Sequence, residues 1–175
     1  MRAEPLTTLL REREERTRVI VNVAAIAAGV PVRTLQNWAS KGWAWVEPDP
    51  GRYAPGSFRG YTFLDCERLA LQGELAVNVG LMPLRARDLL AQAFAGHWLG
   101  QFPSRSISGK EMRDLAGKSL VIEWDEVRVA SAKLTKNSPS RLPGRRLCVV
   151  LPVGPVIYAA LERLRANVRT ENVLG

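Results

Sequence analysis

Histidine and cysteine are nearly absent from this chain of 175 residues: His97 is the single histidine, and Cys66 and Cys148 are the two cysteines. They form no Cys-x-x-Cys pair, and a structural zinc site needs about four Cys or His ligands. No metal site is expected, and nothing calls for a cofactor. Two distant cysteines do not make a disulfide framework, so free thiols in a reducing compartment are the simpler reading. One isolated histidine cannot complete a Ser-His-Asp set. No glycine-rich phosphate loop is present, and Val153-Gly154-Pro155 reads as a strand-to-helix turn. The expectation is therefore a protein that is not an enzyme. No apolar run reaches the length of a membrane span, and the opening Met1-Arg2-Ala3-Glu4-Pro5 lacks an apolar signal core. A cytoplasmic protein with no membrane partner is expected. Internal repeats are also lacking.

What is present is an apolar content of 46%, enough for a core and contrary to wholesale disorder. The formal charge is +8 and the isoelectric point about 10.2. A basic balance favours a polyanionic partner, of which nucleic acid is the commonest for such a protein.

The periodicity divides the chain. Leu6 to Arg18 reads as a charged helix with Thr7 or Thr8 as cap, and its Arg11-Glu12-Arg13-Glu14-Glu15-Arg16 run as a solvated face. Asn22 is expected to cap a helix of small residues that Gly29 ends. Val32 to Ser40 forms a second helix, with Leu35 and Trp38 toward the core and Arg33, Thr34, Gln36, Asn37 and Lys41 left outside. Helix, glycine turn and helix is the layout of a helix-turn-helix. The alternation Trp43 to Glu47 suggests a strand, Pro48-Asp49-Pro50-Gly51 and Pro55-Gly56-Ser57 suggest turns, and Arg59 to Phe63 a returning strand, together a wing. Asp65 is placed as the N-cap of a helix reaching Val79, stopped by Gly80, and Leu84 to Trp98 forms another. The loop-like stretch 100–108 is expected to separate two domains. Beyond it, Lys110 to Ala116 reads as a short helix. Ser119 to Trp124 and Glu126 to Leu134 read as strands joined by a tight turn, Arg145 to Leu151 as a central strand, and Pro155 onward as a final helix.

At this point the chain resembles the MerR family and, more broadly, MerR-like winged helix-turn-helix domains. That family runs Gly-Val-Ser, two residues, Thr-Leu-Arg-Tyr-Tyr, three residues, Gly. Here Gly29-Val30-Pro31 is followed at the same spacing by Thr34-Leu35-Gln36-Asn37-Trp38 and Gly42. The family wing closes on Gly-Tyr-Arg-x-Tyr, then Asp and leucines; here Arg59-Gly60-Tyr61-Thr62-Phe63 precedes Asp65 and Leu69, and Gly80-Leu81 leads to Leu90. The likeness spans Val19 to Leu90. Four features depart from it: Gln36 and Asn37 replace the family Arg and Tyr, the wing is longer with two extra prolines, the dimerising coiled coil is missing, and no cysteine cluster is present. Metal sensing is therefore not expected. The Thr34-to-Trp38 motif also resembles the winged domains of phage excisionases and small terminase subunits.

The resemblance implies a fold that is mostly α with small β. Outside the likeness, the periodicity adds a charged helix expected over 1–18 and a small α+β C-terminal module over 108–175; the resemblance itself implies an N-terminal winged helix-turn-helix, placed at 19–99. It implies double-stranded DNA as partner and transcription regulation as role, with phage-type architectural or packaging binding as the alternative. Gln36 and Asn37 carry amides that can pair bidentately with adenine, and Arg33 can read guanine or hold a phosphate. Thr34 and Lys41 lie near the helix ends, where phosphate contacts are expected. Arg52 and Arg59 flank the wing tip and could clamp a phosphate or enter a minor groove. Tyr61 is placed with them, as a core residue or a phosphate hydroxyl donor rather than a base reader. Trp38, Trp43 and Trp45 read as core rather than as stacking platforms. Lys133, Lys136, Arg141, Arg145 and Arg146 share an acid-free stretch with Ser138, Pro139, Pro143 and Gly144, a candidate basic arm on a flexible loop. The C-terminal module is expected to dimerise the chain; nothing in its residues supports a small-molecule effector.

Overall fold

A computed structural model describes residues 18–46, 60–101, 114–124, 130–136, 148–168 and 173–174. The elements run β1 (Arg18–Val19), α1 (Val21–Ala28), α2 (Val32–Ser40), β2 (Tyr61–Thr62), α3 (Phe63–Gly73), α4 (Pro83–Ala93), β3 (Lys118–Trp124), β4 (Ala130–Lys136), β5 (Cys148–Pro152), α5 (Val153–Asn167) and β6 (Val173–Leu174). A π-helical turn, Glu74–Asn78, extends α3, and a 3-10 turn, Trp98–Gly100, follows α4. The described chain is mostly helical with two small antiparallel sheets, ordered β2-β1-β6 and β4-β3-β5. No described helix is long and apolar enough to cross a membrane.

Small residues decide how α1 packs. Val23, Ala24, Ala25, Ala27 and Ala28 are buried, and their short side chains let α3 approach the α1 backbone. A Cβ built on Gly73 would overlap the Ala28 carbonyl oxygen, so glycine is required at that crossing. Gly29, at φ 69°, ends α1 in the left-handed region. The N–H groups of Gly29 and Val30 return to the carbonyls of Ile26 and Ala25, each at 3.1 Å, satisfying orphan helix-end acceptors. The cap expected at Asn22 is not formed. The N-cap lies two residues earlier, at extended Ile20, which makes no side-chain cap.

α3 is the centre of the molecule, and every one of its residues is buried. Its cap is Thr62 rather than Asp65. Thr62 Oγ1 accepts from the Asp65 N–H at 3.0 Å, and Asp65 Oδ2 accepts from the Thr62 N–H at 3.0 Å. Asp65 is the third residue of this capping box because the chain leaves β2 directly into the helix. The fully buried Arg68 donates from Nε to the Leu99 carbonyl at 2.7 Å and from Nη2 to the Gln101 carbonyl at 2.6 Å. Its Nη1 lies 3.7 Å from Asp65 Oδ1. One guanidinium thus ties the segment after α4 to α3.

Several expected strands are revised. Arg18, expected in the N-terminal helix, opens β1, and residues 1–17 lie outside the described part. Residues 43–46 form no strand: the Trp43 and Ala44 N–H groups both donate to the Trp38 carbonyl, at 2.8 and 3.2 Å, so no ladder is available. The partner of β2 is β1, with Arg18 opposite Thr62 and Val19 opposite Tyr61. The rest of the expected wing, residues 47–59, lies outside the described residues. α4 stops at Ala93 rather than at Trp98. β3 and β4 pair from Lys118–Lys136 to Trp124–Ala130, so 125–129, not a tight Trp124-Asp125 turn, joins them. β5 lies at the edge and β3 at the centre, because Ser119, Leu120, Val121 and Ile122 are buried on both sheet faces.

Residues on both sides of the 100–108 stretch build one core. A single apolar cluster takes in Val23 and Ala27 of α1, Leu35 of α2, Leu69 of α3, Leu90 of α4, Leu120 and Ile122 of β3, and Ile157, Leu161 and Leu164 of α5. α5 packs on both α1 and α3, and β6 pairs with β1. Arg163 of α5 donates to the Ala27 carbonyl at 3.0 Å, placing a cation at the C-terminal end of α1.

Gly73→Ala should destabilise the fold by about 1–3 kcal/mol, because overpacking at the Ala28 carbonyl exceeds the gain in helix propensity. Urea unfolding checks this; an unchanged or raised midpoint contradicts the close approach. Burial pushes the Cys66 thiol well above its ordinary value, and the Asp65 and Glu67 carboxylates add to the shift. Cys148 is half-buried, and both cysteines are free. A thiol-alkylating reagent at neutral pH should therefore modify Cys148 in the folded protein and both cysteines after unfolding. Native labelling of Cys66 would contradict its burial.

Candidate nucleic-acid interface

α2 has a sharply divided surface. Leu35, Trp38 and Ala39, spaced i, i+3 and i+4, are buried. Arg33, Gln36, Asn37 and Ser40 are exposed, Thr34 is half-buried, and Lys41 is exposed just past the helix end. Among the described residues, the side chains of Arg33, Gln36 and Asn37 make no hydrogen bond or ion pair. Ser40 Oγ donates to the Asn37 carbonyl at 3.0 Å. The outer face therefore presents two amides, one guanidinium and one ammonium, held on a helix whose other face is locked into the core.

The exit from α2 is fixed as firmly as its buried face. Gly42, at φ 68°, turns the chain. Lys41 Nζ stands 4.5 Å from the centre of the Trp43 ring, a cation–π contact. Gln72 of α3, fully buried, accepts from the Trp45 N–H at 2.8 Å and donates to the Trp43 and Pro83 carbonyls at 2.7 and 2.9 Å. Trp45 is buried against Phe94, ring centres 5.5 Å apart. On the outside, Arg87 of α4 donates to the Gly42 carbonyl while paired with Asp88 at 2.8 Å. Trp38 and Trp45 belong to the core, and half-buried Trp43 carries Lys41 on its face.

The structure gathers Arg33, Thr34, Gln36, Asn37 and Lys41 at one helix. Of its two expected places Tyr61 takes the core: it is 1% exposed, on a strand whose backbone pairs with β1 at Val19, so its hydroxyl is not offered to a phosphate. Arg52 and Arg59 of the wing, and Arg141, Arg145 and Arg146 of the basic stretch, lie outside the described residues. Lys133 lies on strand β4, as the expected Glu126-to-Leu134 strand placed it, and Lys136 ends the same strand rather than lying on a flexible loop; β4 packs against α4. Lys133 is exposed but paired, its Nζ 3.1 Å from Glu123 Oε1; Lys136 is exposed at the strand end. Among the described residues, no group of three His, Cys, Asp or Glu side chains could hold a metal ion.

Sequence reasoning missed Gln72, Arg87 and Arg163, the side chains that anchor the α1–α2 turn and the exit from α2. A signal existed for the first: Asp65, Arg68 and Gln72 follow at i, i+3 and i+7. That spacing is a polar stripe, ordinarily read as a solvated face. Here a second layer of protein covers it.

A scan against protein-family models finds no match to this chain, and a search of curated proteins finds no relative.

Proposed function

We propose that this protein is a sequence-specific double-stranded DNA-binding regulator with a MerR-like winged helix-turn-helix, in which α2 is the recognition helix. It is a binder rather than an enzyme, and it acts as a dimer. One observation carries the reading: the outer face of α2 presents the unengaged side chains of Arg33, Gln36 and Asn37 on a helix that is otherwise immobilised. A side-chain amide offers one donor and one acceptor side by side, matching adenine N7 and N6 in the major groove. Arg33 matches guanine, or holds a phosphate from the first turn. Thr34 and Lys41 bracket the helix as phosphate contacts, which set register without reading sequence. The net charge of +8 supplies the long-range attraction.

The dimer needs a surface other than the apolar stripe of α5, which is already covered by α1 and α3 within the chain. The end of α4 at Ala93 favours a second reading. With no long helix there to build a regulator's coiled coil, the same interface serves a phage-type architectural or packaging protein, an excisionase or small terminase subunit.

Selection of bound sequences from a random duplex pool separates these readings. The regulator should return a defined motif, and Gln36→Ala with Asn37→Ala should abolish it. Each lost bidentate contact carries about 1–3 kcal/mol, roughly 5- to 150-fold in affinity for the selected site. Salt-sensitive binding with no motif, unmoved by the double substitution, would contradict base readout by α2 and favour the architectural role.

A further inference from the structure

We propose that Gln72 is a positioning residue for the DNA-facing surface, fixing how the chain leaves α2 toward the wing and where α4 begins beside it. The inference rests on the DNA-binding reading above. Its basis is a buried amide whose three hydrogen bonds all go to backbone, and to two separate segments. Oε1 accepts from the Trp45 N–H at 2.8 Å, and Nε2 donates to the Trp43 carbonyl at 2.7 Å and the Pro83 carbonyl at 2.9 Å. Residues 43–46 belong to no helix or strand. The Trp43 and Ala44 N–H groups turn back to the Trp38 carbonyl, which leaves the Trp43 carbonyl and the Trp45 N–H to find partners. Buried backbone groups must be paired, and the Gln72 amide meets both, acting as one unit of a strand that the segment does not have. Its remaining amide hydrogen ties this bend to the first residue of α4.

The same bend is braced from outside by Arg87, which donates to the Gly42 carbonyl. Residues 42–45 are thus held between α3 within and α4 without. A recognition helix reads base edges only when its position is held to within about 0.5 Å and its angle to the groove to within about 10–20°. Gln72 touches no DNA; it acts through the backbone at Trp43 and Trp45, which sets Lys41 and the start of the wing relative to Gln36 and Asn37.

The test compares Gln72→Met, which keeps the shape and loses the hydrogen bonds, with Gln72→Glu, which keeps the acceptor for the Trp45 N–H and loses both donors. Amide hydrogen exchange, thermal unfolding and duplex affinity are read for each. For the wild type, duplex affinity is read on the selected site or, if no site emerges, on a random duplex. The expected result for Gln72→Met is exchange at Trp45 at least tenfold faster, α1 and α3 amides still protected, and affinity of the folded protein lowered tenfold or more. Thermal unfolding should show a folded protein at the assay temperature. Unchanged exchange at Trp45 would overturn the tether. Lowered stability with unchanged affinity of the folded fraction would overturn the positioning role, since that is what a merely structural residue gives. If Gln72→Met does not fold, Gln72→Glu and Arg87→Ala, which removes the outer brace, carry the same readouts; normal affinity in both overturns the proposal. Failure of the DNA-binding reading shows differently, as a wild-type protein that binds no duplex, and it would overturn the role of Gln72 at that surface as well.

Discussion

Complete burial of α3 is the constraint on which the rest of this structure depends. A helix with both faces covered must find partners inside the protein for the polar side chains it carries, because an unpaired buried amide or charge costs several kcal/mol. Asp65 closes the cap with Thr62 and approaches Arg68; Arg68 takes the carbonyls of Leu99 and Gln101; Gln72 takes the bend after α2 and the start of α4. Asp65 thus closes the start of its own helix, while Arg68 and Gln72 reach out of α3 and hold other segments. The bend after α2, the start of α4 and the 3-10 turn after it are all tied to one helix, and the candidate interface inherits its geometry from that arrangement.

The C-terminal half belongs to the same arrangement. α5 covers α1 and α3, its Arg163 reaches the Ala27 carbonyl beside the Gly29 turn, and β6 extends the sheet that β1 forms with β2. The turn between α1 and α2 thus has α5 as its lid. Only small side chains permit this: alanines on α1, glycine at 29 and glycine at 73 keep the three helices in close contact. The proposed reading unit and the proposed dimerising half share apolar side chains, which couples their stabilities.

The part of the fold legible in the sequence was the part with one solvated face. In α2, a periodicity of Leu35 and Trp38 against Arg33, Gln36, Asn37 and Lys41 announces both the helix and its outward residues, and the limits Val32–Ser40 are those observed. Gly29 was legible because a turn between helices demands a left-handed residue. Elsewhere the local pattern was overridden by long-range partners. Trp43 and Trp45 alternate as in a strand, yet their backbone groups go to Trp38 and Gln72. The partner of Tyr61 is Val19, far away in sequence, which local periodicity cannot indicate. β5 is apolar enough for a central strand, but β3 takes the centre by being buried on both faces. In α3 a polar stripe had the spacing of a wet surface and proved to be the set of internal clamps.

The central claim is that the outer face of α2 meets duplex DNA. A nuclear magnetic resonance titration of short duplex into isotope-labelled protein, followed residue by residue, tests it most directly. The account predicts the largest backbone and side-chain amide shifts at Arg33, Gln36, Asn37 and Lys41, with small shifts in buried α3 and in α5. Saturable shifts centred on another surface, with α2 unmoved, would contradict it.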